Sequence, residues 1–185
     1  ATQASGIAAL FGANQALNLG AYGNISGLGM GTGIALDFGT TGSPDVRLFD
    51  GGITYHGVEV VDVLLGQGDD TFTVSHTVNA SVTVVQGGGG SDTLVVTSGG
   101  GVNAPLVLFG DTGQDGKAYN ATLAANTGNA FAFSNFGNDL IDARAAGGGV
   151  TIYGGRGNDV LYGSAYADQI AGGSGDDVLD GMAGD

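Results

Sequence analysis

GGRGNDVLY (Gly154–Tyr162), GSAYADQIA (Gly163–Ala171), GGSGDDVLD (Gly172–Asp180) and the opening GMAGD of a fourth unit (Gly181–Asp185) repeat one nine-residue frame. The frame is Gly-Gly-x-Gly-x-Asp-x-U-x, with U a large aliphatic residue. The first and third units match at every defined position. The second is degenerate, with Ser164, Tyr166 and Ala167 where the frame is looser or broken, but keeps Asp168 and Ile170. Two units make 18 residues, which is also the separation of Asp159 and Asp177. One coil of chain therefore holds two short strands and two turns. Glycine allows the turns backbone conformations closed to other residues, and Leu161, Ile170 and Leu179 are expected to point inward as the core.

The Asp159 and Asp177 turns end a longer series. Asp70, Asp92, Asp115, Asp139, Asp159 and Asp177 each follow a glycine by two residues, at steps of 22, 23, 24, 20 and 18. A fixed turn recurring at such an interval marks a solenoid. The expected fold is all-β, a right-handed parallel β-helix or β-roll of about 18–24 residues per coil. Upstream the coils are longer and less regular: LGQGDDTFTV (Leu65–Val74), GGGGSDTLVV (Gly87–Val96), GDTGQDG (Gly110–Gly116) and SNFGNDLID (Ser134–Asp142). Phe72, Leu94 and Ile141 sit two places after their Asp. At Asp115 that place holds Lys117, so local pairing must differ there. β-branched stretches between the turns read as strands.

A fainter column alternates with the first. Val78-Asn79-Ala80-Ser81 is echoed by Val102-Asn103-Ala104-Pro105 and Gly128-Asn129-Ala130-Phe131, each before a strand. Side-chain amide ladders without ions are expected at this second corner. Residues 1–63 read as irregular coils or a capping region, 64–153 as a long-coil solenoid with one Asp column, and 154–185 as the strict nonapeptide roll. Ser5–Leu17 could be a short helix, a cap or another coil; its glycines weaken the helix reading.

If the coils stack, the carboxylates form one file beside glycine-rich backbone, an arrangement that suits a hard cation. Calcium takes about six to eight oxygen ligands at roughly 2.3–2.6 Å. A Gly-Gly-x-Gly-x-Asp turn offers alternate main-chain carbonyls plus one carboxylate, and two turns stacked about 4.8 Å apart can enclose an ion. The nonapeptides resemble the RTX (repeats-in-toxin) family of secreted bacterial proteins. That resemblance implies a calcium ion held between neighbouring turns on the same side of the roll. Asp159 and Asp177, with Gly155, Gly157, Gly173 and Gly175, are then the first pair. Asp70/Asp92, Asp92/Asp115, Asp115/Asp139 and Asp139/Asp159 are successive candidates, while Asp168 faces the opposite side with its partner turn beyond Asp185.

Composition bounds the function. The 185 residues include 39 Gly, two Pro and no Cys. There are 17 Asp but one Glu (Glu59), against Lys117, Arg47, Arg144 and Arg156. A net charge of −14 argues against nucleic acid or an anionic membrane as partner. The Asp bias suits tight turns, where a short carboxylate reaches local backbone or an ion. Like charges about 5 Å apart repel by somewhat under 1 kcal/mol in bulk water and several-fold more where water is excluded. About five Ca2+ ions would bring the net charge from −14 to about −4, so folding and calcium binding are expected to be coupled. Stability without disulfides fits a metal taking their place. No apolar run approaches a membrane span, and both ends read as cuts in a longer protein.

No catalytic residues are expected. His56 and His76 lie outside any His-Glu-x-x-His helix, no Gly-x-Ser-x-Gly elbow occurs, and cysteine chemistry is impossible. Gly27–Gly33 lacks the acidic partner of a dinucleotide loop, and Thr71-x-Thr73 does not recur at coil spacing as an ice-binding array would. The expected role is a calcium-binding structural segment of a secreted or cell-surface protein such as an adhesin, an S-layer protein or a fibre-forming exoprotein, with end-to-end self-association. The alternative is the folding and secretion module of a type I-secreted exoenzyme or pore-forming toxin.

Overall fold

Runs of Val, Ile, Leu and Thr between glycine-rich corners are strand chemistry, because branched side chains pack well on a pleated surface. The computed structural model describes residues 23–25, 30, 34–37, 39–49, 52–55, 57–111 and 135–184, and every regular element among them is a strand. The chain divides into two compact units, Ala1–Val58 and Glu59–Asp185.

The first unit contains β1 (Gly23–Ile25), β2 (Ile34–Asp37), β3 (Val46–Phe49) and β4 (Ile53–Tyr55). β1 pairs with β4 and β2 with β3, both antiparallel. Thr40 and Ser43 close the β2–β3 hairpin through reciprocal main-chain bonds of 3.0 and 2.8 Å. Asp37 Oδ1 accepts the N–H groups of Gly39 and Asp45. This local antiparallel pairing differs from looser coils of a solenoid, which pair parallel. The Ser5–Leu17 segment lies outside the described residues.

The second unit is the solenoid. One sheet stacks β5 (Val60–Gly66), β7 (Val82–Gly88), β9 (Leu106–Phe109), β11 (Thr151–Arg156) and β13 (Gln169–Ser174). The other stacks β6 (Thr71–Val74), β8 (Thr93–Val96), β10 (Leu140–Asp142), β12 (Val160–Tyr162) and β14 (Val178–Asp180). Every pairing in both sheets is parallel. The chain thus passes from one sheet through an Asp turn to the other sheet and returns, giving five rungs and four coil-to-coil steps.

The inward positions alternate as a pleat requires. In β9 the buried residues are Leu106 and Leu108, and in β8 they are Leu94 and Val96. Val85, Leu108, Ile141, Ile152 and Leu161 are fully enclosed. Each such side chain contributes on the order of 1.5–3 kcal/mol of hydrophobic stabilisation. The aliphatic positions two residues after each Asp fall in one register, Phe72 on Leu94 on Ile141 on Leu161 on Leu179. Ile170 is partly buried against the core and Leu179 is 45% exposed, because β14 has a paired strand on one side alone.

One coil departs from the regular step. β8 pairs directly with β10, Leu94 beside Ile141, so Asp92 neighbours Asp139, 47 residues on, where the spacing predicts a step of 23. Asp115 itself lies outside the described residues. The physical reason is the residue two places downstream: Ile141 is 0% exposed, whereas the Asp115 frame would direct Lys117 into the same apolar interior. The Asn corner also differs from expectation. Asn79 and Asn103 are exposed, and the rungs join there through the Ala80 N–H donating to the Asn103 carbonyl at 2.7 Å, with Ala80 at φ 64°. Asn129 lies outside the described residues.

Candidate metal centre

The turn between the two sheets builds a file of carboxylates from five rungs. The Asp70 N–H donates to Asp92 Oδ1 at 2.8 Å, Asp92 N–H to Asp139 Oδ1 at 2.8 Å, Asp139 N–H to Asp159 Oδ1 at 2.8 Å, and Asp159 N–H to Asp177 Oδ1 at 3.0 Å. The carboxylates of Asp92, Asp139, Asp159 and Asp177 are therefore each oriented by the main chain of the preceding rung. That bond occupies one oxygen. The Oδ2 atoms of Asp92, Asp139 and Asp159 are buried with no hydrogen-bond partner.

Glycine makes the space those oxygens need. A Cβ added at Gly87, Gly110, Gly154 or Gly172 would overlap the Oδ2 of Asp92, Asp139, Asp159 or Asp177 respectively. The same Cβ at Gly87 would strike the Gly110 carbonyl, and at Gly154 the Gly172 carbonyl. Carboxylate and carbonyl oxygens thus share the inner side of the turn. Gly157 and Gly175, at φ 128° and 136°, hold the corner in a backbone conformation that L side chains disfavour. Gly155 pairs with Gly173 and Arg156 with Ser174 across the last two turns, which places the expected Asp159/Asp177 set together.

A second ladder runs beside the first with opposite polarity. Here the later rung donates: Ser91 N–H to Asp69 Oδ1, Asn138 N–H to Ser91 Oγ, Asn158 N–H to Asn138 Oδ1 and Asp176 N–H to Asn158 Oδ1, all at 2.8–3.0 Å. The amide ladder expected at the Asn corner is at the Asp corner instead. Its signal was the polar residue just before each column Asp.

Sequence reasoning also passed over Asp111. It is 6% exposed, its Oδ2 accepts the Arg156 N–H at 2.6 Å, and its Oδ1 is buried without a partner. Asp168, in the opposite turn, has different surroundings. Its Oδ1 accepts from Val150 N–H and Ser164 Oγ–H, and its Oδ2 accepts from Ser164 N–H. Both of its oxygens are engaged within the chain, unlike those of Asp92, Asp139 and Asp159.

Burial dominates the electrostatics. Desolvation pushes the Asp92 and Asp111 carboxyls up to about 6 and Asp139 up to about 7, and raises Asp159 in the same direction. Neighbouring carboxylates add to each shift, and the accepted main-chain N–H opposes it. These carboxyl groups are held where water solvates them poorly, beside main-chain carbonyls; among the described residues Arg156 offsets Asp111, and no cation acts on Asp92, Asp139 or Asp159. Among the described residues no group of three or more His, Asp or Glu side chains could hold a metal ion. An ion here would draw mainly on carbonyl oxygens, with one carboxylate per turn. That donor set, all hard oxygen, fits calcium and fits neither a soft nor a redox metal.

The RTX calcium-binding nonapeptide repeat family model matches residues 153–185, in four copies. No curated protein and no solved structure matches the chain. Among the described residues no helix is long and apolar enough to cross a membrane.

Proposed function

With residues 153–185 formed of RTX calcium-binding repeats, we propose that the Glu59–Asp185 solenoid is a calcium-stabilised, non-catalytic structural segment of a secreted or surface-attached bacterial protein. The observation that carries this reading is the row of buried, donorless Oδ2 atoms at Asp92, Asp139 and Asp159, facing the glycine floor of their own turns. An uncompensated buried carboxylate costs several kcal/mol. A row of them is tolerable when a divalent ion links consecutive turns. When bound, calcium neutralises the carboxylates and bridges rung to rung. The chain's own residues do the rest. The preceding rung's N–H aims the carboxylates of Asp92, Asp139, Asp159 and Asp177, the glycines leave space beside main-chain carbonyls, and the aliphatic positions fix the spacing by packing.

Rung-to-rung bridging makes calcium part of the fold, so the chain would stay unfolded where the ion is scarce and fold where it is plentiful. That supports a role outside the cell. Roles as adhesin, S-layer or fibre segment, and end-to-end association through the parallel sheets, are extensions of the same reading. Circular dichroism and calorimetric titration test it. Calcium is expected to convert an unordered spectrum into a β-rich one with more than one ion taken up. A β-rich spectrum that excess EDTA leaves unchanged, with no heat of calcium binding, overturns it.

A further inference from the structure

The third turn of the carboxylate file is made from two separate pieces of chain. Gly110 and Asp111 leave β9, and Asn135–Asp139 return after 23 intervening residues. Both pieces are pinned to the second rung. The Gly88 N–H is shared between the Gly110 and Asp111 carbonyls at 3.1 and 3.2 Å, the Gly90 N–H donates to the Asn135 carbonyl at 2.9 Å, and Gly90 bridges to Phe136.

Continuing the register of Phe109 with Gln86 and Tyr153 puts Asp111 at the position that Gly88 and Gly155 hold in the adjoining rungs. Every other described rung has glycine there, Gly66, Gly88, Gly155 and Gly173. This turn therefore carries a carboxylate at the glycine position, Asp111, in addition to Asp139, whereas the second carboxylates of the first and fifth turns, Asp69 and Asp176, stand just before their column Asp. A Cβ at Gly155 would overlap Asp111 Oδ2, so the side chain lies over the fourth rung's backbone. Asp111 Oδ1 and Asp139 Oδ2 are both buried and without partners, in residues 6% and 2% exposed.

We propose that this split turn is a cation site distinct from those of the nonapeptides, in which Asp111 Oδ1 supplies a second carboxylate ligand beside Asp139 and the adjoining main-chain carbonyls. The ligand class is a hard divalent cation, calcium first. Affinity in oxygen sites rises with the number of charged ligands, so this position binds most tightly in the file. It also ties together two chain segments that sequence separates by 23 residues. The inference rests on the calcium reading of the column but concerns residues outside the 153–185 match.

Calorimetric titration of calcium into the full chain, compared with Asp111→Asn and Asp111→Gly, is the test. Asn keeps an acceptor for the Arg156 N–H, and Gly restores the residue found in the other rungs, so at least one variant retains the fold. That retention is checked by circular dichroism in saturating calcium. The expected result is loss of the tightest binding event, or its weakening by about ten-fold or more, with the remaining events unchanged. Isotherms of both variants superimposable on wild type overturn the Asp111 site and leave the wider reading standing. A wild-type chain that binds no calcium overturns both.

Discussion

Within the carboxylate file, the two oxygens of Asp92, Asp139 and Asp159 have separate duties. Oδ1 is satisfied by the preceding rung's N–H, while Oδ2 of Asp92, Asp139 and Asp159 is enclosed and donorless. Protons and calcium therefore compete for the same atoms. The Asp92 and Asp111 carboxyls, pushed up to about 6, and Asp139, up to about 7, hold protons more tightly in the metal-free fold than in the unfolded chain, where an Asp titrates at 3.8. Stability from these groups is thus fully present below pH 4 and is lost as pH rises through 6–7. Calcium requires the deprotonated form and reverses the sign. Circular dichroism between pH 4 and pH 8 is expected to show the β signal falling with pH in EDTA, to an unordered chain at pH 8, and rising with pH in calcium; the same trend in both would break the link between these carboxylates and the ion. Asp159 and Asp177 were legible as ligand candidates because the full Gly-Gly-x-Gly-x-Asp frame surrounds them. Asp111 was not, since it stands where the frame has glycine and reads as an ordinary turn residue.

The strands show where periodicity suffices and where it fails. Phe72, Leu94, Ile141, Leu161 and Leu179 occupy one register, as their place two residues after an Asp predicts. The Gly-x-Asp interval alone counted the Asp115 turn as a coil of its own, with a regular step of 23 residues, although β10 pairs with β8 across 47. The spacing cannot weigh Lys117 against Ile141, but burial does: the aliphatic side chain fits the interior and the ammonium does not. The antiparallel strands within Ala1–Val58 were equally hidden, because alternating apolar residues are compatible with either pairing direction. Ile141 is then the residue that selects the third rung of its sheet. Ile141→Ala is expected to destabilise the calcium-loaded unit by about 2–5 kcal/mol in urea unfolding. Val102→Ala, at a side chain 93% exposed, is expected to stay within about 0.5 kcal/mol. A small effect at Ile141 would mean that the third rung is held by something other than its aliphatic core.

For the molecule as a whole, stacking and charge oppose one another. Each rung contacts its immediate neighbours, so stability in a solenoid is close to a sum of rung and interface terms. Every interface along the file also brings another carboxylate beside the last, in a chain of net charge −14. Two kinds of remedy can be told apart. If simple repulsion among exposed charges were the obstacle, any electrolyte would help, since 1 M monovalent salt shortens the screening length to about 3 Å. The Asp92, Asp139 and Asp159 side chains are 1%, 2% and 0% exposed, where mobile ions do not reach. Their need is for a cation that enters the turn and takes oxygen ligands from both rungs. Circular dichroism of the metal-free chain in 1 M KCl is therefore expected to remain unordered, while millimolar CaCl2 at low ionic strength restores the β signal. Potassium restoring the fold as fully as calcium would show that the file needs charge screening alone, and that the buried oxygens are not ligands.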